Sequence, residues 1–418
     1  MNVYFAGIGG VALGPLAEIA RDLGYMVSGS DPNEGLMTKR LVETGVIVSV
    51  DQSGNFLQSQ HQQTPIDWFI YTSAMPQDHP ELVAARQLGI AHIVKRNEFI
   101  NFILAEKQLK MIAIAGTHGK TTTTAMFVWA LQQLGIPVSY SIGTTISFGP
   151  SGKYTPGSEY FIYECDEFDR NFLAFTPDVS LITSIDYDHP DTYPTRTDYA
   201  AAFTQFMNQS SQVIMWSHDT IEGLVVPPTT WQLQDSEIAD VKLAGIHNRA
   251  NATLITKASE FLELSDQDSI RTALNSFPGS ARRFEKLGDN LYTDYGHHPA
   301  EIAATLQLAR ELSDHVVLVY QPHQNVRQHQ IRGEYTDCMQ LAEHIYWLPT
   351  YLTREDPTLP VLSPEELTTN LVNRDAVTYA ELDNTLWDAI ATARAAGKLV
   401  LCMGAGTIDG WLRKQLNS

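Results

Sequence analysis

Between Lys110 and Leu131 the chain passes from an apolar run, Met111-Ile-Ala-Ile-Ala115, through Gly116-Thr-His-Gly-Lys-Thr-Thr122 into the helix-forming stretch Ala125-Met-Phe-Val-Trp-Ala-Leu131. Few folds accommodate that order. An unbroken apolar run suits a strand buried on both faces, as in a parallel sheet. Glycines at 116 and 119 permit backbone conformations closed to other residues, so successive N–H groups converge on one point. The first turn of the following helix adds its partial positive charge there. Lys120 reaches out from the turn, with two threonine hydroxyls behind it. This is a shortened phosphate-binding loop, because Ile114 stands where Gly-x-x-x-x-Gly-Lys-Thr has its first glycine. Gly116, Thr117, His118, Gly119, Lys120, Thr121 and Thr122 are expected to hold ATP, with Lys120 on the β- and γ-phosphates and Thr121 on Mg²⁺.

The strand–glycine–helix order recurs on both sides. Val3-Tyr-Phe-Ala6 runs into Gly7-Ile-Gly-Gly10, a helix-like stretch from Leu16 to Leu23, and a second strand from Met26 leading to Ser30 and Asp31. Strands are also expected at Trp68–Tyr71, before Thr72-Ser73-Ala74, at His315–Tyr320 and at Lys398–Met403, the last before Gly404-Ala-Gly406. Such alternation predicts an α/β protein with parallel sheets. At 418 residues two or three domains fit, with boundaries near residue 106 and near Pro278. A net charge of −20 speaks against nucleic-acid binding. The three cysteines, Cys165, Cys338 and Cys402, have no metal or disulfide spacing and suit a reducing compartment. With no basic, apolar leader and no long apolar stretch, a cytoplasmic protein without membrane insertion is expected.

Gly7, Ile8, Gly9 and Gly10, with Asp31 further on, fit a nucleotide-sugar diphosphate, a dinucleotide, or a structural turn. Ala12 fills the third glycine position of the dinucleotide fingerprint. Tyr163-Glu-Cys-Asp-Glu-Phe-Asp169 follows the apolar run Tyr160–Ile162, and carboxylates at the end of a buried strand need cations. A second strand ends in Asp186-Tyr-Asp-His189. Ligands bind beyond the carboxyl ends of such strands, so Glu164 and His189 are expected beside the phosphate loop, sharing Mg²⁺ with Thr121. Further clusters are His247-Asn-Arg-Ala-Asn251, Arg282-Arg283, Tyr292-Thr-Asp-Tyr-Gly-His-His-Pro299, and Gln321-Pro-His323 with Arg327.

In this order, across nearly the whole chain, these motifs resemble the Mur ligases, ATP-dependent enzymes that build the peptidoglycan precursor. The resemblance implies three domains: a UDP-sugar-binding Rossmann-like domain (1–105), a central ATP-binding domain (106–277) and a C-terminal Rossmann-like domain closing over the site (278–418). Catalytic roles fall by resemblance on Lys120, Glu164, His189, Arg283 and His297. UDP-sugar contacts fall on Gly7 to Gly10, Ser30, Asp31, Thr72 and Ser73. Asn248, Asn251 and Asp294 contact the nucleotide, Arg283 the transferring phosphoryl group, and Tyr295, His297 and Arg327 the incoming amine. The implied partners are UDP-N-acetylmuramate and L-alanine, or a short peptide, with the protein a monomer or homodimer.

Two features bear on the amine. No lysine occurs between Lys153 and Lys242, as expected for the L-alanine-adding branch, which lacks a carbamylated lysine. Gln324 and Asn325 stand where that branch carries an arginine, and here the chain is similar to ligases that recycle a murein tripeptide. A nicotinamide-dependent oxidoreductase, suggested by the first glycine turn, leaves Lys120 and the acidic strand ends without a role. So does a nucleotide-binding regulator without catalysis.

Overall fold

The computed structural model describes residues 1–72, 75–189, 192–353 and 355–417. Three sheets follow one another along the chain. The first comprises β1 (Asn2–Ala6), β2 (Met26–Ser30), β3 (Ile47–Ser49), β4 (Trp68–Tyr71) and β5 (His92–Lys95), in the order β3-β2-β1-β4-β5 with every pair parallel. That order reverses direction between β1 and β4, so the turn after β1 lies at the switch point where α/β sheets open a crevice.

The second sheet comprises β6 (Lys110–Ala115), β7 (Val138–Ser141), β8 (Gly152–Lys153), β9 (Tyr160–Glu164), β10 (Val179–Ile182), β11 (Gln212–Trp216) and β12 (Thr230–Leu233), ordered β12-β11-β10-β6-β9-β7-β8. β6 lies between β10 and β9, parallel to both. The third sheet contains β13 (Glu285–Gly288), β14 (Leu291–Asp294), β15 (Val316–Tyr320), β16 (His344–Trp347), β17 (Val377–Tyr379) and β18 (Leu399–Met403), ordered β13-β14-β18-β15-β16-β17. The sheets are parallel, as the alternation predicted, apart from two edge pairs. β7 with β8 and β13 with β14 are antiparallel edge pairs, each a short strand joined to its neighbour without a crossover helix.

Residues 1–241 and 251–277 form one compact unit, and 242–250 with 278–418 form another. In the first, Val3, Phe5 and Ile8 share one apolar cluster with Met111, Ala113, Phe161 and Tyr163, bridged by Leu16, Phe99 and Ile103 from helices. Here the helix Gly14–Asp22 meets β8 closely: a Cβ on Gly152 would lie 1.9 Å from the Pro15 carbonyl oxygen. The Glu18 carboxylate accepts the Gly152 N–H at 2.8 Å and pairs with Arg40 at 3.1 Å. In the second unit, separate clusters cover the two faces of the third sheet, Leu318, Tyr320 and Trp347 on one and Val317, Val319 and Ile390 on the other.

Candidate active site

β6 is buried over Met111–Ala115, and the chain leaves it through Gly116 at φ +132° and Gly119 at φ +84° before the helix Lys120–Gln133. Both glycines are required. A Cβ on Gly116 would lie 2.4 Å from Thr183 Oγ1, and one on Gly119 would lie 3.2 Å from Asn251 Oδ1. The strand order explains the first neighbour, because Thr183 follows β10 directly. The leading N–H groups of the turn are braced from that side: Thr117 N donates to the Ser184 carbonyl at 3.0 Å and His118 N to Ser184 Oγ at 2.9 Å. The next N–H groups open the helix, which has no side-chain cap, so its first turn keeps donors without intrahelical partners. Thr123 and Thr124 are buried because their hydroxyls donate to the carbonyls of Gly119 and Lys120 at 2.9 and 2.8 Å.

The acidic strand end divides its work. Glu164, the last residue of β9, accepts the Thr121 hydroxyl at 2.6 Å and the Gly143 N–H at 2.7 Å. Glu167, three residues on and 0% exposed, takes the Lys120 ammonium at 3.0 Å on one oxygen and 2.8 Å on the other. Lys120 also donates to the Gly116 and Thr117 carbonyls. His189, at φ +56°, lies 3.6 Å from Glu167 and 3.7 Å from Asp188. Burial by itself would raise the Glu167 carboxyl, but Lys120 and His189 outweigh it and hold the group below the usual range. Burial opposes charge on Lys120 and on His189 too, yet the carboxylates beside them raise both.

The geometry holds two pairings at this strand end. Thr121 meets Glu164, while Lys120 and His189 meet Glu167. Among the described residues Glu164, Glu167 and His189 do not form a group with all ligand atoms within 4.8 Å. Glu167 was not singled out from the sequence. Its signal was present in the acidic run, since a carboxylate buried after an interior strand must face a cation.

At the first glycine turn the leading N–H groups are tied into the protein. Gly7 N and Ile8 N donate to the Ser30 carbonyl at 2.8 and 2.9 Å, Gly10 N to the Gly7 carbonyl at 3.1 Å, and Gly9 N to Asp31 Oδ2 at 2.9 Å. Among the described residues the next N–H groups, Val11 to Leu13, make no backbone hydrogen bond. Ser30 is buried with its hydroxyl on Glu81 at 2.8 Å. Asp31 closes the turn, whereas a dinucleotide fold aims such a carboxylate at a ribose. Thr72 approaches this turn, its methyl 3.8 Å from a Cβ built on Gly7. Ser73 lies outside the described residues.

In the helix Ile246–Phe261, Asn251 borders Gly119, and Asn248 donates to the Ala244 carbonyl at 2.9 Å. His247 is held neutral, its pKa pushed down to about 4 chiefly by burial.

In the second unit, the rings and carboxylates follow β14 and β15. The Tyr295 ring has Arg282 at 4.5 Å and Arg283 at 5.2 Å. Asp294 accepts the Phe284 and Gly296 N–H groups, both at 2.7 Å, and burial pushes its carboxyl up to about 6 against the pull of Arg283. His297 N and His298 N donate to Glu301 at 2.8 and 3.1 Å, and the His297 and His323 rings lie 5.7 Å apart. Arg327 is half-buried on the helix Asn325–Ile331. Asn325, which suggested a tripeptide, is 1% exposed; its amide donates to the Pro360 carbonyl at 3.0 Å and accepts the Leu362 N–H at 2.9 Å. It ties down a loop of its own unit and carries no argument about the substrate.

Three family profiles match in order: the Mur ligase family catalytic domain over residues 2–108, the Mur ligase middle domain over 114–227, and the Mur ligase glutamate ligase domain over 282–406. The chain is 30% identical to a UDP-N-acetylmuramate–L-alanine ligase of Azorhizobium caulinodans, over 98% of its own length and 96% of that protein. It is 31% identical to the protein of the same name from Brucella ovis, over 98% and 95%. The fold matches the crystal structure of UDP-N-acetylmuramate–alanine ligase from Thermotoga maritima with a TM-score of 0.78, at 24% identity, covering 100% of this chain and 98% of that one. A glycine loop with its lysine between two acid-bearing strand ends, and three profiles in sequence, lead to one conclusion: this chain belongs to the Mur ligase family of ATP-dependent ligases.

Proposed function

We propose that the protein joins L-alanine to UDP-N-acetylmuramate at the expense of ATP, in the cytoplasm. One observation carries the first half of the reaction: Lys120 pairs with Glu167 and Thr121 with Glu164, both carboxylates at the end of β9, the strand beside β6. A triphosphate seated on the N–H groups that open the helix Lys120–Gln133 meets the Lys120 ammonium, and helix charge and ammonium together offset the repulsion between two anions. A lactyl carboxylate oxygen attacks the γ-phosphorus and ADP leaves. The amine nitrogen then attacks the acyl carbon, and phosphate departs with that same oxygen. Thr121 and Glu164 offer the hard oxygen donors that suit Mg²⁺, which when bound neutralises phosphate charge. Glu167 orients Lys120 and keeps it charged, and His189 supplies a second cation to the same carboxylate.

The UDP-sugar diphosphate is assigned to the N–H groups of Val11 to Leu13, at the start of the helix Gly14–Asp22, with Gly7 to Gly10, Ser30 and Asp31 shaping the turn and Thr72 and Ser73 beside it. Arg283 is assigned to the transferring phosphoryl group, and Asn248, Asn251 and Asp294 to the nucleotide. Tyr295, His297 and Arg327 are assigned to the incoming amine. The names of the full-length relatives support L-alanine over a tripeptide. The test is phosphate release with ATP, Mg²⁺ and UDP-N-acetylmuramate, comparing L-alanine with the tripeptide. Turnover is expected with L-alanine, and preference for the tripeptide contradicts the reading.

A further inference from the structure

Behind the turn that carries Tyr295 and His297, a buried chain of polar groups links the end of β14 to the end of β15. Gln328, Tyr335 and Tyr320 are each 0% exposed. Gln328 Nε2 donates to the His323 carbonyl at 3.0 Å, and Gln328 Oε1 accepts the Tyr335 hydroxyl at 2.8 Å. The Tyr320 hydroxyl lies 2.9 Å from that of Tyr335 and 3.1 Å from the His297 carbonyl. A carbonyl only accepts, so the His323 oxygen fixes which way the Gln328 amide faces. Gln328 Oε1 therefore faces Tyr335 and claims its proton. Tyr320 is left with one proton and two acceptors. Three contacts share two hydroxyl protons, and the contact to His297 competes with the contact to Tyr335.

From this count we infer that Tyr320 is a positioning residue for the amine substrate, latching the His297 carbonyl, and that Tyr335 weakens the latch by competing for its proton. The inference rests on the reading that His297 holds the incoming amine. The rest of the turn is already braced at Asp294 and Glu301, so among these links the Tyr320 contact is the one with an alternative.

The two hydroxyls thus act in opposite directions. Tyr320→Phe removes the latch, and KM for L-alanine is expected to rise about three- to tenfold, the loss of one hydrogen bond. Tyr335→Phe frees the Tyr320 proton for His297, and KM for L-alanine is expected to stay at or below the wild-type value. In both variants KM for ATP and for UDP-N-acetylmuramate stays within about twofold, a split that general destabilisation does not produce. Equal rises in the two variants overturn the competition, and no rise in Tyr320→Phe overturns the latch. Should Tyr320→Phe fail to fold, Tyr335→Phe decides: a raised L-alanine KM refutes the inference, and an unchanged or lowered one supports it. His297→Ala separates the two layers. If it leaves the L-alanine KM unchanged, both the underlying reading and the latch fall; if it raises KM while Tyr320→Phe does not, the latch alone falls.

Discussion

Two glycine turns in this molecule share one backbone plan and differ in what surrounds it. After β1 and after β6 the chain bends through glycine into a helix without a side-chain cap. In each the leading N–H groups are taken by protein acceptors, Ser30 and Asp31 in one and Ser184 in the other, and the chain then enters the helix. The second turn adds Lys120 and, on the strand ends flanking β6, Glu164, Glu167 and Thr183. The first adds Pro15, which has no N–H, and the Asp31 carboxylate on Gly9. The shared backbone suffices to seat phosphate. In the proposed reaction, group transfer draws on Lys120 and on the oxygens of Thr121 and Glu164, which accompany the second turn.

The most forceful way to break this contrast is Lys120→Ala. Ligation is expected to fall at least about a thousandfold, the scale seen when a cation or donor aimed at developing charge is removed. UDP-sugar binding, measured by calorimetry, should stay within about twofold. Glu167→Gln should follow in the same direction by about one to two orders of magnitude, because it takes away the negative charge that orients Lys120 and stabilises its ammonium. Equal activity in either variant erases the distinction between the turns.

Adding one methyl group to each turn sharpens it. Gly116→Ala forces a Cβ to within 2.4 Å of Thr183 Oγ1 at φ +132° and is expected to cost about 3 kcal/mol in chemical denaturation and to abolish ATP binding. On Gly9 the same methyl meets the Thr38 and Asp31 side chains at 2.8 and 2.9 Å, which can move. Gly9→Ala should therefore cost less and raise only the UDP-sugar KM. Asp31→Ala releases the Gly9 N–H, and the UDP-sugar KM is expected to rise about thirtyfold, near 2 kcal/mol for a hydrogen bond to a charged group, with the ATP KM unchanged.

The smallest effect concerns pH. His189 has its pKa raised in the folded protein, so its pairing with Glu167 contributes fully below the ordinary histidine value and is lost as pH rises through the folded one. The stability advantage of wild type over His189→Gln should shrink with rising pH across neutrality, and a gap that widens contradicts the pairing.

These contrasts also mark how far the sequence can be read. β1, β4, β6, β15 and β18 were legible because a strand buried on both faces is an unbroken apolar run, closed in β1, β6 and β18 by a glycine. The antiparallel edges were not, since β8 and β13 are too short and polar to leave a period. Lys120, Thr121 and Glu164 were legible from motif spacing. Glu167 could not be ranked above its acidic neighbours, because burial depends on β9 lying next to β6. Asn325 misled for the converse reason: a polar residue in a motif resembles a ligand contact, and only its bonds to Pro360 and Leu362 assign it to a loop. Around Gly7 to Gly10, spacing does not reveal that Ser30 and Asp31 return to take N–H groups of the turn.

The central claim is that the loop from Gly116 to Thr122 delivers a γ-phosphoryl group to the carboxylate of the UDP-sugar. Synthesis of UDP-N-acetylmuramate with ¹⁸O in that carboxylate, turnover with ATP and L-alanine, and mass analysis of the released phosphate tests it directly. One ¹⁸O atom in each phosphate is the predicted result, and unlabelled phosphate alongside amide product contradicts the account.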